Sequence, residues 1–95
     1  MTPEGKVKEK VKKTLKKYSV YQHWPVLNGM GAPTLDCVGC ANGRFFAIET
    51  KAANNQPKPR QEITMRDMRA AGATVFLVNE VEGMNELESW LQENT

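Results

Sequence analysis

The sequence predicts an α/β fold: a central mixed β-sheet of about four strands flanked by helices. Three observations lead there. Residues 36–51, DCVGCANGRFFAIETK, read as a β-hairpin around Asn42-Gly43, the dipeptide suited to a type I′ turn because both central residues need positive φ. A helical pattern ending at Gly72 runs into the β-branched stretch TVFLVN, the signature of a crossover to a parallel strand. Residues 3–18 carry a helical apolar stripe. At 95 residues the chain makes one small domain, too short for two cores.

Taken in order, Thr2 suits an N-cap and Pro3 the first helical position, where a missing N–H costs nothing. At 100° per residue Val7, Val11, Leu15 and Tyr18 share one arc, and lysines fill the rest of the circle. Glu4 falls in the middle of that arc. The helix dipole favours an acid in the first turn by about 0.3–1 kcal/mol, but does not explain one that faces the core.

Tyr21 to Leu27 reads as a short strand interrupted by Pro25, hence an edge or a bulge. His23, beside Trp24, is expected as a packing or surface residue. Asn28 to Pro33 forms a turn-rich loop whose two glycines let backbone approach a partner. The hairpin follows, then a polar loop over 52–57. Lys58 to Ala71 reads as a helix with proline in its first turn and Gly72 as its stop. Met65, Met68 and Gln61 share one arc of it, while Ile63 and Ala70 face the other way. Thr74 to Asn79 suits a buried strand. Asn85 is the expected cap of a last helix with Leu87, Trp90 and Leu91 inward.

The net charge of +2 hides an asymmetry: seven lysines crowd residues 1–18, and five glutamates without a base occupy residues 80–95. A basic N-terminal helix suggests a polyanionic partner, although lysines also simply solvate a helix face. Apolar runs as long as a membrane span or a signal-peptide core are missing, so the expectation is a soluble, cytoplasmic chain without a membrane partner. Cys37-x-x-Cys40 places its thiols on opposite faces of a strand, about 10 Å apart at 3.3 Å per residue, beyond disulfide reach. Both are expected as small packing residues, since zinc would need more ligands than these and His23.

The hairpin carries the chemistry. With a two-residue loop Ala41 pairs with Arg44, so Asp36 falls opposite Glu49, and alternation puts Lys51 on the same face. At about 5 Å and an effective dielectric near 20, two carboxylates repel by roughly 3 kcal/mol. Either something positive belongs between them, Lys51 or a divalent cation that prefers oxygen ligands, or this is a solvated sheet face on which Glu49 and Lys51 merely pair.

With helix, strands, helix, strand and helix in order, and with Glu4, Asp36, Glu49, Lys51 and Gln61 as its singular polar residues, the chain resembles the PD-(D/E)XK nuclease superfamily. It looks most like the virus-type replication-repair nuclease (VRR-NUC) domain in its small stand-alone phage form, over about Pro3 to Asn79. Glu4, the loop NGMGAPTLD, the segment GRFFAIETK and PKPRQ carry the resemblance. One departure is that Thr34-Leu35 separate Pro33 from Asp36, where the family usually has the aspartate next to the proline.

The resemblance implies a restriction-endonuclease-like core and a Mg²⁺- or Mn²⁺-dependent DNA endonuclease, host-cytoplasmic if phage-encoded and of the Holliday-junction-resolvase type. Asp36, Glu49, Glu4 and the backbone carbonyl of Thr50 would hold the metal. Lys51 would orient the attacking water or stabilise transition-state charge, and Gln61 would position Lys51 or a phosphate. Lys6, Lys10, Lys13 and Lys17, on one flank of the first helix, with Lys58 and Arg60 at the start of the second, are the expected DNA contacts. Symmetric incisions in a junction need two sites on a two-fold axis, hence an expected homodimer. Two alternatives stay open: a non-catalytic nucleic-acid-binding module of the same fold, and a small inhibitor-type protein whose acidic end binds a partner.

Overall fold

The turn at Asn42-Gly43 sets the sheet. Both residues take positive φ, +51° and +82°, and join β2 (Cys37–Ala41) to β3 (Arg44–Thr50) in the expected register, Ala41 opposite Arg44 and Cys37 opposite Ile48. The computed structural model describes residues 1–26 and 31–95. Among them lie α1 (Pro3–Lys17), β1 (Tyr21–His23), the β2–β3 hairpin, α2 (Pro59–Ala70), β4 (Thr74–Val78) and α3 (Met84–Asn94). The strands form one mixed sheet in the order β1-β2-β3-β4, with β4 parallel to β3 and the other pairs antiparallel. The chain is therefore α/β, with a four-stranded mixed sheet and three helices.

Alternation along β3 divides the core. Phe46 and Ile48 face α1 and α3, where they meet Val7, Val11, Leu15, Leu87 and Leu91. Ala47 faces α2 and meets Leu35, Met65 and Val75. Trp90 closes the first side, its ring edge-on to both Phe46 and Phe76 with centroids 5.7 Å apart. Gly39 has no room for a side chain: a Cβ there would lie 2.2 Å from the Tyr21 carbonyl oxygen and 2.5 Å from the Phe46 ring. That contact keeps β1 tight against β2.

The helix boundaries follow local chemistry. Thr2 Oγ1 accepts from the Gly5 N–H at 3.0 Å, with Pro3 in the first turn. After α2, the Ala73 N–H donates to the Met68 carbonyl, and Gly72 takes φ +101°, a Schellman-type stop.

Four expectations need correction. β1 ends at His23, because the chain leaves the ladder ahead of Pro25; Leu27 and the Asn28–Met30 part of the expected loop lie outside the described residues. Asn85 does not cap α3, which begins at Met84 behind Gly83. The preceding turn is made instead by Asn79, whose Oδ1 accepts from the N–H groups of Val81 and Glu82 at 2.8 and 2.7 Å. Cys37 is core, but Cys40 is exposed and so is not a packing residue. Glu4 lies within the apolar arc but in the first turn of α1, and is only half-buried.

Candidate active site

The hairpin register brings the two acids together. Asp36 immediately precedes β2 and Glu49 lies one residue before the end of β3, both buried at 8% and 2% exposure. The Asp36 N–H donates to Glu49 Oε1 at 3.3 Å. The Asp36 carboxylate itself turns aside: its Oδ2 accepts from the Thr50 N–H at 2.9 Å and from the Thr50 hydroxyl at 2.8 Å. Asp36 stands just outside the strand, so the pleat does not dictate its direction, and the two buried Thr50 donors do. The expected face-to-face pair is thus an offset pair. One oxygen of Asp36 is committed to Thr50, and Oδ1 is left for a cation.

Glu49 is held on every side. Its Oε2 accepts from Gln61 Nε2 at 2.8 Å and lies 3.5 Å from Lys51 Nζ. Burial, then the nearby Asp36 charge, pushes the Glu49 carboxyl up to about 7, against the opposing pull of Lys51. The lysine beside it does not offset the cost of burying the charge.

Gln61 is fixed from its own helix. Its Oε1 accepts from the Lys58 N–H at 2.8 Å, so the start of α2 sets which end of the amide meets Glu49. Pro59 removes one donor that the first turn would otherwise leave unpaired. The Met65/Met68 arc does face the sheet, and Gln61 rides on it. Lys51 extends the parallel ladder one step beyond β3, its N–H donating to the Val78 carbonyl at 3.0 Å. That anchor, and 12% side-chain exposure, keep its ammonium beside Glu49.

A residue missed by sequence reasoning completes the cluster. Lys8 Nζ lies 3.7 Å from Glu4 Oε2 and 4.0 Å from Asp36 Oδ1, linking α1 to the hairpin. The signal was its i+4 spacing from Glu4, which puts the two side chains about 40° apart around the helix.

The expected DNA contacts are brought together less well. Lys6, Lys10, Lys13, Lys17, Lys58 and Arg60 are all exposed. The four on α1 point roughly 180–240° around the helix from Glu4, away from the site. Lys17 is engaged, donating to Glu88 Oε2 of α3 at 2.9 Å, which ties the basic end of the chain to the acidic one. Arg60 and Gln61 line a cleft of about 780 Å³ between Pro25, residues 31–34 and α2, and among its described lining residues Gln61 is the one bonded to Glu49. His23 is exposed on the edge strand.

The donor set suits a hard cation of low protein ligation. Among the described residues no three His, Cys, Asp or Glu side chains gather as a metal cluster. Mg²⁺, however, is commonly held by one or two carboxylates plus water and substrate phosphate, and Asp36 and Glu49 are the two buried carboxylates that could serve it. No family model matches this chain, and no curated protein matches it. No helix among the described residues is long and apolar enough to cross a membrane.

Proposed function

We propose that the chain is a metal-dependent DNA endonuclease of the PD-(D/E)XK type, with a VRR-NUC-like core. The observation that carries this reading is the buried Asp36–Glu49 pair, with Lys51 and Gln61 both on Glu49 Oε2. A purely structural sheet end gains little from setting two buried carboxylates side by side.

Asp36 and Glu49, with the Thr50 carbonyl and Glu4, would hold Mg²⁺ or Mn²⁺. Such an ion would supply charge neutralisation at the phosphate and would lower the pKa of the attacking water. The chain's own residues divide the remaining work. Gln61, locked by the Lys58 N–H, keeps the Glu49 carboxylate in one orientation. Lys51, partly desolvated, directs its ammonium toward developing negative charge at the phosphate or orients the attacking water. Thr50 holds Asp36 by two hydrogen bonds and so fixes where Oδ1 points.

Branched DNA is the proposed substrate class, cut by a homodimer whose two-fold axis matches the two equivalent strands of a junction. The test is a cleavage panel of junction, flap, duplex and single-stranded DNA with Mg²⁺ and Mn²⁺. Paired incisions in the junction that vanish in Asp36→Asn and Glu49→Gln are the expected result. A second reading, a non-catalytic nucleic-acid-binding module, draws on the exposed lysines of α1 lying away from the site. Binding without cleavage under every metal would favour it.

A further inference from the structure

Lys8 stands where two of the proposed ligands would share a cation. Its ammonium lies between Glu4 Oε2 and Asp36 Oδ1, at 3.7 and 4.0 Å. Oδ1 is the oxygen Asp36 has left, because Oδ2 already takes two hydrogen bonds from Thr50. Both separations exceed the roughly 2.7–2.9 Å of a charge-assisted hydrogen bond. Lys8 is therefore attracted to the acids without being fastened to either one.

We propose that Lys8 is the exchangeable counter-ion of this site, neutralising Glu4 and Asp36 in the metal-free protein and leaving when a divalent cation takes the same oxygens. The proposal rests on the metal-dependent reading above. Two ammonium groups serve the acids, and they differ in freedom. Lys51 is 12% exposed and follows directly on β3, whereas Lys8 is 36% exposed at the end of a long stem on α1. An entering divalent cation repels both, and the one with solvent to move into yields. Lys8 thereby keeps two nearby acids from repelling one another before the metal arrives, and it sets a threshold for metal occupancy.

The experiment measures Mn²⁺ affinity without DNA, by titration calorimetry, for wild type, Lys8→Met, Lys8→Arg and Asp36→Asn. Lys8→Met keeps the stem and removes the charge, so Mn²⁺ should bind on the order of tenfold more tightly. Lys8→Arg should stay near wild type, and Asp36→Asn should lose binding. Equal or weaker binding by Lys8→Met, with wild type binding and Asp36→Asn not, overturns the role of Lys8 and leaves the metal site standing. Failure of every protein, wild type included, to bind Mn²⁺ overturns both. A second measurement needs no variant: an amine-acylating reagent should label Lys8 of the wild type faster with Mn²⁺ than without, while Lys13 labels equally. Unchanged labelling of Lys8 in the metal-bound protein overturns the proposal.

Discussion

Glu49 and Asp36 differ in what they do for the fold, and substitutions separate the two. Glu49 carries a folded-state pKa raised from 4.5 to about 7, so its contribution is fully present below about pH 4.5 and is lost as pH rises through 7. Across that window the metal-free wild type should lose on the order of 3 kcal/mol. Glu49→Gln should flatten the loss, as read by urea melts at pH 5 and pH 8, while abolishing cleavage. A wild type equally stable at both pH values, once other groups are matched by the variant, contradicts the burial of this charge. At Asp36 the amide of Asp36→Asn still offers an acceptor to Thr50, so the protein should stay as stable as wild type or gain slightly. Asp36→Ala strands the buried Thr50 N–H and should cost about 1–3 kcal/mol. Equal melting temperatures for the two variants would mean that Thr50 does not depend on Asp36. The juxtaposition of Asp36 with Glu49 is legible in the sequence because a two-residue turn and a period of two leave a single register. Lys8 is legible only as the i+4 partner of Glu4; that it also reaches Asp36 emerges only when α1 is docked on the sheet.

At the scale of elements, α1 presents two chemistries on two faces. The Glu4–Lys8 side meets the hairpin, and the Lys6, Lys10, Lys13 and Lys17 side faces outward. Replacing those four lysines by alanine should weaken DNA binding and shallow its salt dependence while leaving turnover at saturating DNA unchanged. An unchanged salt slope makes them a solvated face, and a fall in turnover places them nearer the phosphate than the helix geometry does. Lys17 should contribute least, being paired with Glu88. The helices and the crossover are legible from stripe and stop signals. The start of α3 is not: Asn85 has the chemistry of a cap, but the chain turns at Asn79 and enters the helix through Gly83 at positive φ.

For the whole molecule, a small chain with core on both faces of one sheet depends on every strand being seated. Gly39→Ala should drive β1 away from β2, since the added methyl meets backbone at 2.2 Å. The expected loss is at least about 1–3 kcal/mol, the range for overpacking, read as a lowered denaturation midpoint. Assembly is tested by sedimentation: a homodimer at micromolar concentration, with or without junction DNA, is the expected outcome. A monomer under both conditions removes the symmetric-incision scheme without touching the site chemistry. The α/β class is legible from three local signals, but the exposed row of Tyr21, Cys40 and Phe45 on one sheet face is not, because it forms only once β1 is paired with β2 in register.

The central position of β3 has a further consequence. Glu49 and Thr50 lie at the end of the central strand, paired with Leu77 and Val78 of β4 beyond the last β2 partner, whereas Glu4 and Gln61 enter from the first turns of two helices. Amide protons of Thr50 and Lys51, held by Asp36 Oδ2 and the Val78 carbonyl, should therefore exchange with solvent deuterium more slowly than those at the start of α1 and α2, which exchange through local fraying. The site then has a stationary half and a yielding half. On the proposed reading substrate binding would draw Glu4 by a small movement of a helix end, while Gln61 and the carboxylate on β3 stay where their hydrogen bonds hold them.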